Sequence, residues 1–328
     1  MFPFLSLRRK IHTMNSNESD IYAQTSENDV FSDLLRLLQL DVHIFHNAKI
    51  CGNWRINEHE PPGMTCFHMV TLGSCLLTVP GHMEKQLNRG DLLIFPREIP
   101  HSMTPTKTLS GKQQHCSYSD DLAHEGTGML CGEVRFQHQG KSHLLDALPA
   151  VFVIPYQESH RWMEHLLALI LHESLNDQAA SKVLLDKLAE LLFSYAIREY
   201  SVAHPDCVGL LALYHDGRLN KAIKAIHQQP DFHWTLDSLA KQANLSRSIF
   251  AEKFKSASGW TAGDYLTWWR MQLAWSQLSQ GLTITHVAEH VGYKSEAAFS
   301  RVFKKAFAIS PGQLRKNFNR TANSNSSL

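Results

Sequence analysis

The stretch SEAAFSRVFKKAFAISPGQLRK, Ser295 to Lys316, repeats in outline an earlier one that begins at Ser246, SRSIFAEKFKSASGWTAGDYL. In each, a Ser is followed four residues later by Phe (Phe250, Phe299) and then by Phe-Lys (Phe254-Lys255, Phe303-Lys304). A Ser at this place can cap a helix by accepting an orphan N–H of the first turn. Phe residues four apart then lie on one helix face. Ile249, Phe250 and Phe254 are expected to face a core in the first copy, and Phe299 and Phe303 in the second. That leaves Arg247, Ser248, Ala251, Glu252 and Lys255 outward in one helix, and Glu296, Ala297, Ser300, Arg301 and Lys304 outward in the other.

A shorter helix precedes each of these. Thr235 caps the first, with Leu236, Leu239 and Ala240 inward, and Asn244-Leu245 turns the chain. Ile284, Val287, Ala288 and Val291 face inward in its counterpart, and Gly292-Tyr293 turns. Each copy is a helix-turn-helix, whose second helix can enter a DNA major groove with its early residues at base edges. Between the copies runs TAGDYLTWWRMQLAWSQLSQG, Thr261 to Gly281, a connecting helix of about 31 Å at ~1.5 Å per residue. One helical turn of DNA is ~34 Å, so a single chain can present two readers to successive grooves.

Charge agrees with that assignment. The net charge of +1 hides 15 Lys+Arg against 6 Asp+Glu from Arg218 onward, a balance of +9. Residues 1–217 hold 17 basic and 25 acidic residues, a balance of −8. A basic final third on an acidic remainder fits a nucleic-acid module joined to a second domain. The double capping Ser, the paired turns and the charge are not explained together by a repeated helical bundle.

At this point the chain resembles the AraC/XylS family of bacterial transcription regulators over residues 218–317. The signature half is ITHVAEHVGYKSEAAFSRVFKKAFAISPGQLRK, with GY in the turn, FSRVFKK in the recognition helix and SPGQLR behind it. The resemblance implies promoter DNA and RNA polymerase as partners. It also implies that Glu252 and Arg301, each two before a Phe, face bases or phosphates. Glu252 departs from the basic residue common there; an acid accepts from cytosine N4 and repels phosphate.

The rest of the chain has another texture. Residues 30–40 read as an amphipathic helix, and residues 49–155 as short alternating runs broken by Gly and Pro, which argues for an antiparallel barrel. Helices follow at roughly 158–176 and 178–200, to pack on the barrel or form a homodimer seam. The expected division is a disordered extension 1–30, a sensor 31–200, a linker 201–217, the reader 218–317 and a disordered tail 318–328. Translation from Met14 would remove part of the extension. The whole is an α+β multidomain chain. No apolar run approaches the ~20 residues of a membrane helix, and the N-terminus has the wrong order for a secretory signal, so a cytoplasmic location is expected.

GDLLIFPREIPHSM, Gly90 to Met103, is similar to the second half-motif of cupins, and CFHMVTLG supplies part of the first. The resemblance implies a cupin-like β-barrel with His68 and His101 pointing inward. Catalytic cupins hold a metal with about three His and a carboxylate. Only these two ligands are assigned by motif, so catalysis is not expected, no cofactor is required, and a metal ion in the barrel is the open alternative to two hydrogen-bonded histidines. ICGNW near the barrel's start and LCGEVRFQH near its end resemble a subgroup of cupin-type AraC regulators that senses reactive chlorine through two cysteines. Carried over by position, that pair is Cys51 and Cys131. Cys66, Cys75 and Cys116 have no counterpart in it, and the six cysteines show no CxxC pair that would mark a zinc site. Sensing of a small molecule or metal in the barrel, a purely structural role for the thiols, and a cupin enzyme with a targeting tail are the competing readings.

Overall fold

The computed structural model describes residues 29–38, 40–58, 64–116, 125–136, 143–157, 161–175 and 179–325. The expected extension, with the choice between Met1 and Met14, lies outside them apart from its last two residues. Val30 already opens helix α1, Val30–Leu38.

Among the described residues ten strands follow, with one short helix among them. They are β1 Leu40–Cys51, β2 Ile56–Glu58, β3 Thr65–Leu72, β4 Ser74–Val79, β5 Met83–Asn88, β6 Leu92–Phe95, β7 His101–Pro105, β8 Gln114–Cys116, β9 Gly126–Phe136, α2 His143–Asp146 and β10 Phe152–Ile154. All pair antiparallel, in one sheet of order β10-β6-β3-β9-β1-β8 and another of order β2-β7-β4-β5. Alternation along the strands sorts the apolar residues onto two faces. Cys66, Val70, Leu93, Phe95, Met129 and Cys131 point between the sheets, into the barrel. Phe67, Met69, Leu92, Ile94 and Leu130 point to the outer face of the large sheet.

Two antiparallel helices cover that outer face: α3, Trp162–Leu175, and α4, Ser181–Ala203. Leu185, Ala189, Leu192, Phe193 and Ala196 of α4 are buried against it. Leu169, Leu184 and Leu191 remain on the outside. Residues 201–217 hold the end of α4 and a further helix, α5, Leu210–His215, with Leu210, Leu211 and Leu213 buried.

The remaining helices are α6 Leu219–Gln228, α7 Leu236–Gln242, α8 Arg247–Ser258, α9 Ala262–Ser279, α10 Ile284–His290, α11 Glu296–Phe307 and α12 Pro311–Asn325. α12 runs through most of the segment expected to be a disordered tail. From Gln313 to Asn325 no Gly or Pro interrupts the helix.

The core divides unequally. The first helix-turn-helix shares one continuous core with α1, α3, α4 and the outer face of the large sheet. The second has its own, built from Met271, Trp275, Val287, Val291, Phe299, Phe303 and Phe307. α9 spans both, giving Tyr265, Leu266 and Trp269 to one and Met271, Ala274 and Trp275 to the other.

A buried polar chain ties α1 to the helices that follow the barrel. His227 of α6 donates from Nδ1 to the Asp33 carboxylate of α1 at 3.2 Å, and its Nε2 accepts from the Tyr265 hydroxyl at 2.8 Å. Tyr214 continues the chain to Tyr265 at 3.3 Å, and Trp269 stacks on the His227 ring at 3.4 Å. Burial lowers the His227 pKa against the pull of Asp33, so the ring is a neutral connector.

Candidate functional site

The two recognition helices are made alike. Ser246 and Ser295 each occupy an extended N-cap, and their side chains accept from the backbone N–H of Ile249 and Ala298. Such a cap contributes on the order of 1 kcal/mol and fixes where the helix starts, hence which residues lie at its tip. Phe250, Phe254, Phe299 and Phe303 are fully buried. Arg247, Ser248, Glu252 and Lys255 are exposed on α8 and Ala251 is half-buried; Glu296, Ala297, Arg301 and Lys304 are exposed on α11 and Ser300 is half-buried. Arg247 approaches Asp237 at 3.5 Å, and Glu296 accepts from the Thr285 hydroxyl.

One residue departs from expectation. Ile249, assigned to the core, is 53% exposed at the tip of α8. It stands ~100° round the helix from Phe250, on the side away from Phe254. An exposed branched aliphatic there can meet a thymine methyl.

The relation between the two helices is fixed by a clamp. Arg270, midway along α9, donates from Nε to the Pro230 carbonyl at 2.7 Å and from Nη2 to the Phe232 carbonyl at 2.9 Å. Gly292, in the second turn, sits against the same loop with φ +81°; a Cβ there would lie 2.8 Å from the Asp231 carbonyl oxygen. The second turn, the connector and the loop before the first motif thus make one joint. Arg270 was not singled out by sequence, and no local pattern marks it.

Inside the barrel His68 and His101 do meet, with ring centroids 5.2 Å apart and both buried. Cys66 and Glu98 complete the group. The Cys66 thiol donates to the Glu98 carboxylate, His68 Nε2 lies 3.9 Å from the sulfur, and His101 Nδ1 lies 3.2 Å from Glu98 and 3.0 Å from the Ile99 carbonyl. Among the described residues no group of three or more His, Cys, Asp or Glu is arranged to hold a metal ion.

Burial drives the His68 pKa well below the ordinary histidine value, and neighbouring His101 and His46 push the same way. The unfolded chain, titrating near ~6.5, therefore binds more protons than the fold below that pH. Stability is full above about pH 6.5 and falls as the pH drops toward the folded pKa, by up to about 1.4 kcal/mol per unit. The unfolding midpoint should decline from pH 7 to pH 5, and His68→Gln should flatten the decline. A midpoint unmoved over that range in the unaltered protein would contradict this account.

The expected cysteine pair does not come together. Cys51 lies opposite Gly126, and Cys131 lies opposite His46 and His68. Five residues of β9 separate those positions, about 17 Å at ~3.4 Å per residue. An odd offset also puts the two side chains on opposite faces, Cys131 in the barrel and Cys51 outside it. A disulfide needs Cα atoms at ~4.4–6.8 Å, so this fold does not join them. Motif position carried no information about register, and that is why sequence paired them.

Comparison with known proteins matches residues 29–201 to a cupin family model and residues 239–317 to a helix-turn-helix domain model. An uncharacterised HTH-type transcriptional regulator of Haemophilus influenzae is 32% identical over 88% of this chain and 98% of its own. An AraC-like transcription regulator of Streptomyces lividans is 31% identical over the same shares. RclR of Escherichia coli, an RCS-specific transcriptional activator, is 27% identical over 88% of this chain and 97% of its own.

Proposed function

As the chain belongs to the AraC-like transcription regulators and carries a cupin-like domain before its DNA-binding helices, we propose that the cupin domain senses an oxidant through thiols and sets the promoter-bound state. On this reading α8 and α11 enter successive major grooves, and the outward residues of both contact bases and phosphates. RNA polymerase is the second partner, and the protein works in the cytoplasm. A homodimer would form on the outer face of α3 and α4, where Leu169, Leu184 and Leu191 are exposed.

The observation that carries the DNA reading is the repetition of a capped, outward-basic helix on either side of one clamped connector. The continuous core and the Asp33–His227–Tyr265 chain support a route from barrel to reader. An oxidised sensor changes transcription only if it stabilises the DNA-competent arrangement more than the other. Kinship with an RCS-specific activator supports an oxidant as the signal.

Arg301 gives the test. Its guanidinium, exposed on α11, can take guanine O6/N7 or a phosphate. Arg301→Ala should weaken specific binding by ~1–3 kcal/mol while thermal unfolding stays unchanged. Equal operator affinity at matched salt would remove α11 from the interface.

A further inference from the structure

The structure offers Cys51 a different partner. In the β1–β8 ladder Lys49 stands opposite Cys116, and Cys51 stands opposite Gln114. Facing residues share a side of the sheet, as do residues two apart on one strand. Lys49, Cys51 and Cys116 therefore emerge on one face, with the two cysteines as diagonal neighbours. Diagonal Cα atoms in an antiparallel pair lie roughly 7–8 Å apart, with the Cβ atoms somewhat closer. A disulfide spans ~4.4–6.8 Å. The difference is on the order of 1 Å, and it falls on β8, a three-residue strand at the sheet edge.

Space and access favour the same pair. Cys51 is 1% exposed, yet it lines a cavity of about 560 Å³ whose walls include Gly111, Lys112, Gln113 and Gln114. The cavity thus opens toward β8. The Cys51 sulfur now leans the other way, over Gly126: it and Lys49 Cε each lie 2.9 Å from the place a Cβ on Gly126 would occupy. Cys116 is half-buried and reachable from solvent. Lys112 and Glu125 both stand at the cavity wall, so their charges offset and a neutral hypohalous acid meets no net charge on its way in.

We propose that Cys51 and Cys116 form a reversible disulfide when a hypohalous acid reaches this edge. This rests on the oxidant reading above and names its chemistry. The Cys116 thiol attacks the halogen of HOCl, forming a sulfur–chlorine bond and releasing water. The Cys51 thiol then displaces chloride from that sulfur, forming the S–S bond and losing its proton. The two thiols are oxidised by two electrons in all, and hypochlorous acid is reduced to chloride and water.

The full chain is treated with one equivalent of hypochlorite, its remaining thiols are blocked, and it is digested without reduction for mass spectrometry. A peptide joining Cys51 to Cys116 is expected. It should disappear on thiol reduction, be absent in Cys116→Ser and Cys116→Ala, and persist in Cys131→Ser. Operator binding is followed in the same samples. A hypochlorite response retained in full by both Cys116 variants, or a link from Cys51 to any other cysteine, would overturn this pairing and leave oxidant sensing standing. A disulfide that forms between these two cysteines without any change in operator binding would instead confirm the site and overturn the sensing role.

Discussion

Phe303→Ala is expected to unfold the second helix-turn-helix while the barrel and the first stay folded. Phe303 is fully buried, with ring centroids 6.0 Å from Trp275, 5.6 Å from Phe299 and 4.7 Å from Phe307. Truncating such a ring costs about 3–5 kcal/mol, from lost burial and the cavity left behind. The core that bears the loss contains no barrel residue, so other elements cannot share it. Phe250→Ala removes a ring of the same kind from the first motif, whose core is continuous with the outer face of the large sheet. Denaturant unfolding followed by fluorescence should show an early separate phase in Phe303→Ala and none in Phe250→Ala. An unfolding curve for Phe303→Ala displaced by less than about 1 kcal/mol would contradict the division of the core.

Gly292→Val should cost nearly as much and act on geometry as well as stability. The left-handed φ of +81° already disfavours any L side chain by ~1–2 kcal/mol. A Cβ would also lie 2.8 Å from the Asp231 carbonyl oxygen and 2.7 Å from Arg270 Nη2. The arginine tip can move, but the carbonyl belongs to backbone that Arg270 itself holds in place. Relief therefore means opening the joint between the two motifs. A loss of at least ~2 kcal/mol in stability is expected. Operator affinity measured well below the new melting temperature should fall too, because the recognition helices lose their fixed spacing. Gly292→Val with unaltered stability and affinity would show that the joint does not set that spacing.

Sequence was most informative where one rule decides a local outcome. Ser246, Ser295 and Thr235 could be placed as caps because an N-cap needs only its own hydroxyl and the next turn. The Phe pairs followed from helical period alone. Ile249 was misplaced because apolar character was allowed to outweigh its angle on the helix. β1 was expected from about residue 49, yet it begins at Leu40; LDVHIFHNAK alternates well enough to read as strand, and the preceding helix pattern obscured its start. His68 of β3 and His101 of β7 stand on different sheets and meet across the barrel, because inward side chains of two facing sheets are close almost wherever they stand. What sequence could not supply was register. The Lys49–Cys116 and Cys51–Gly126 pairings arise from ladders closed across loops, and one odd step along β9 separates a thiol inside the barrel from one outside it. The place of Cys116 opposite Lys49, the Cys66–Glu98 contact and the Arg270 clamp were hidden for the same reason. Their partners are tens of residues away in the chain.

The central claim is that one chain reads two successive major grooves, and footprinting of the full-length protein on its promoter tests it most directly. Protection is expected at two sites on one face of the duplex, centred about one helical turn or ~34 Å apart. Arg301→Ala should weaken one of them and leave the other. Affinity should fall steeply with salt, as release of counterions from the phosphates requires. A single protected groove, unchanged when α11 is disrupted, would contradict the account.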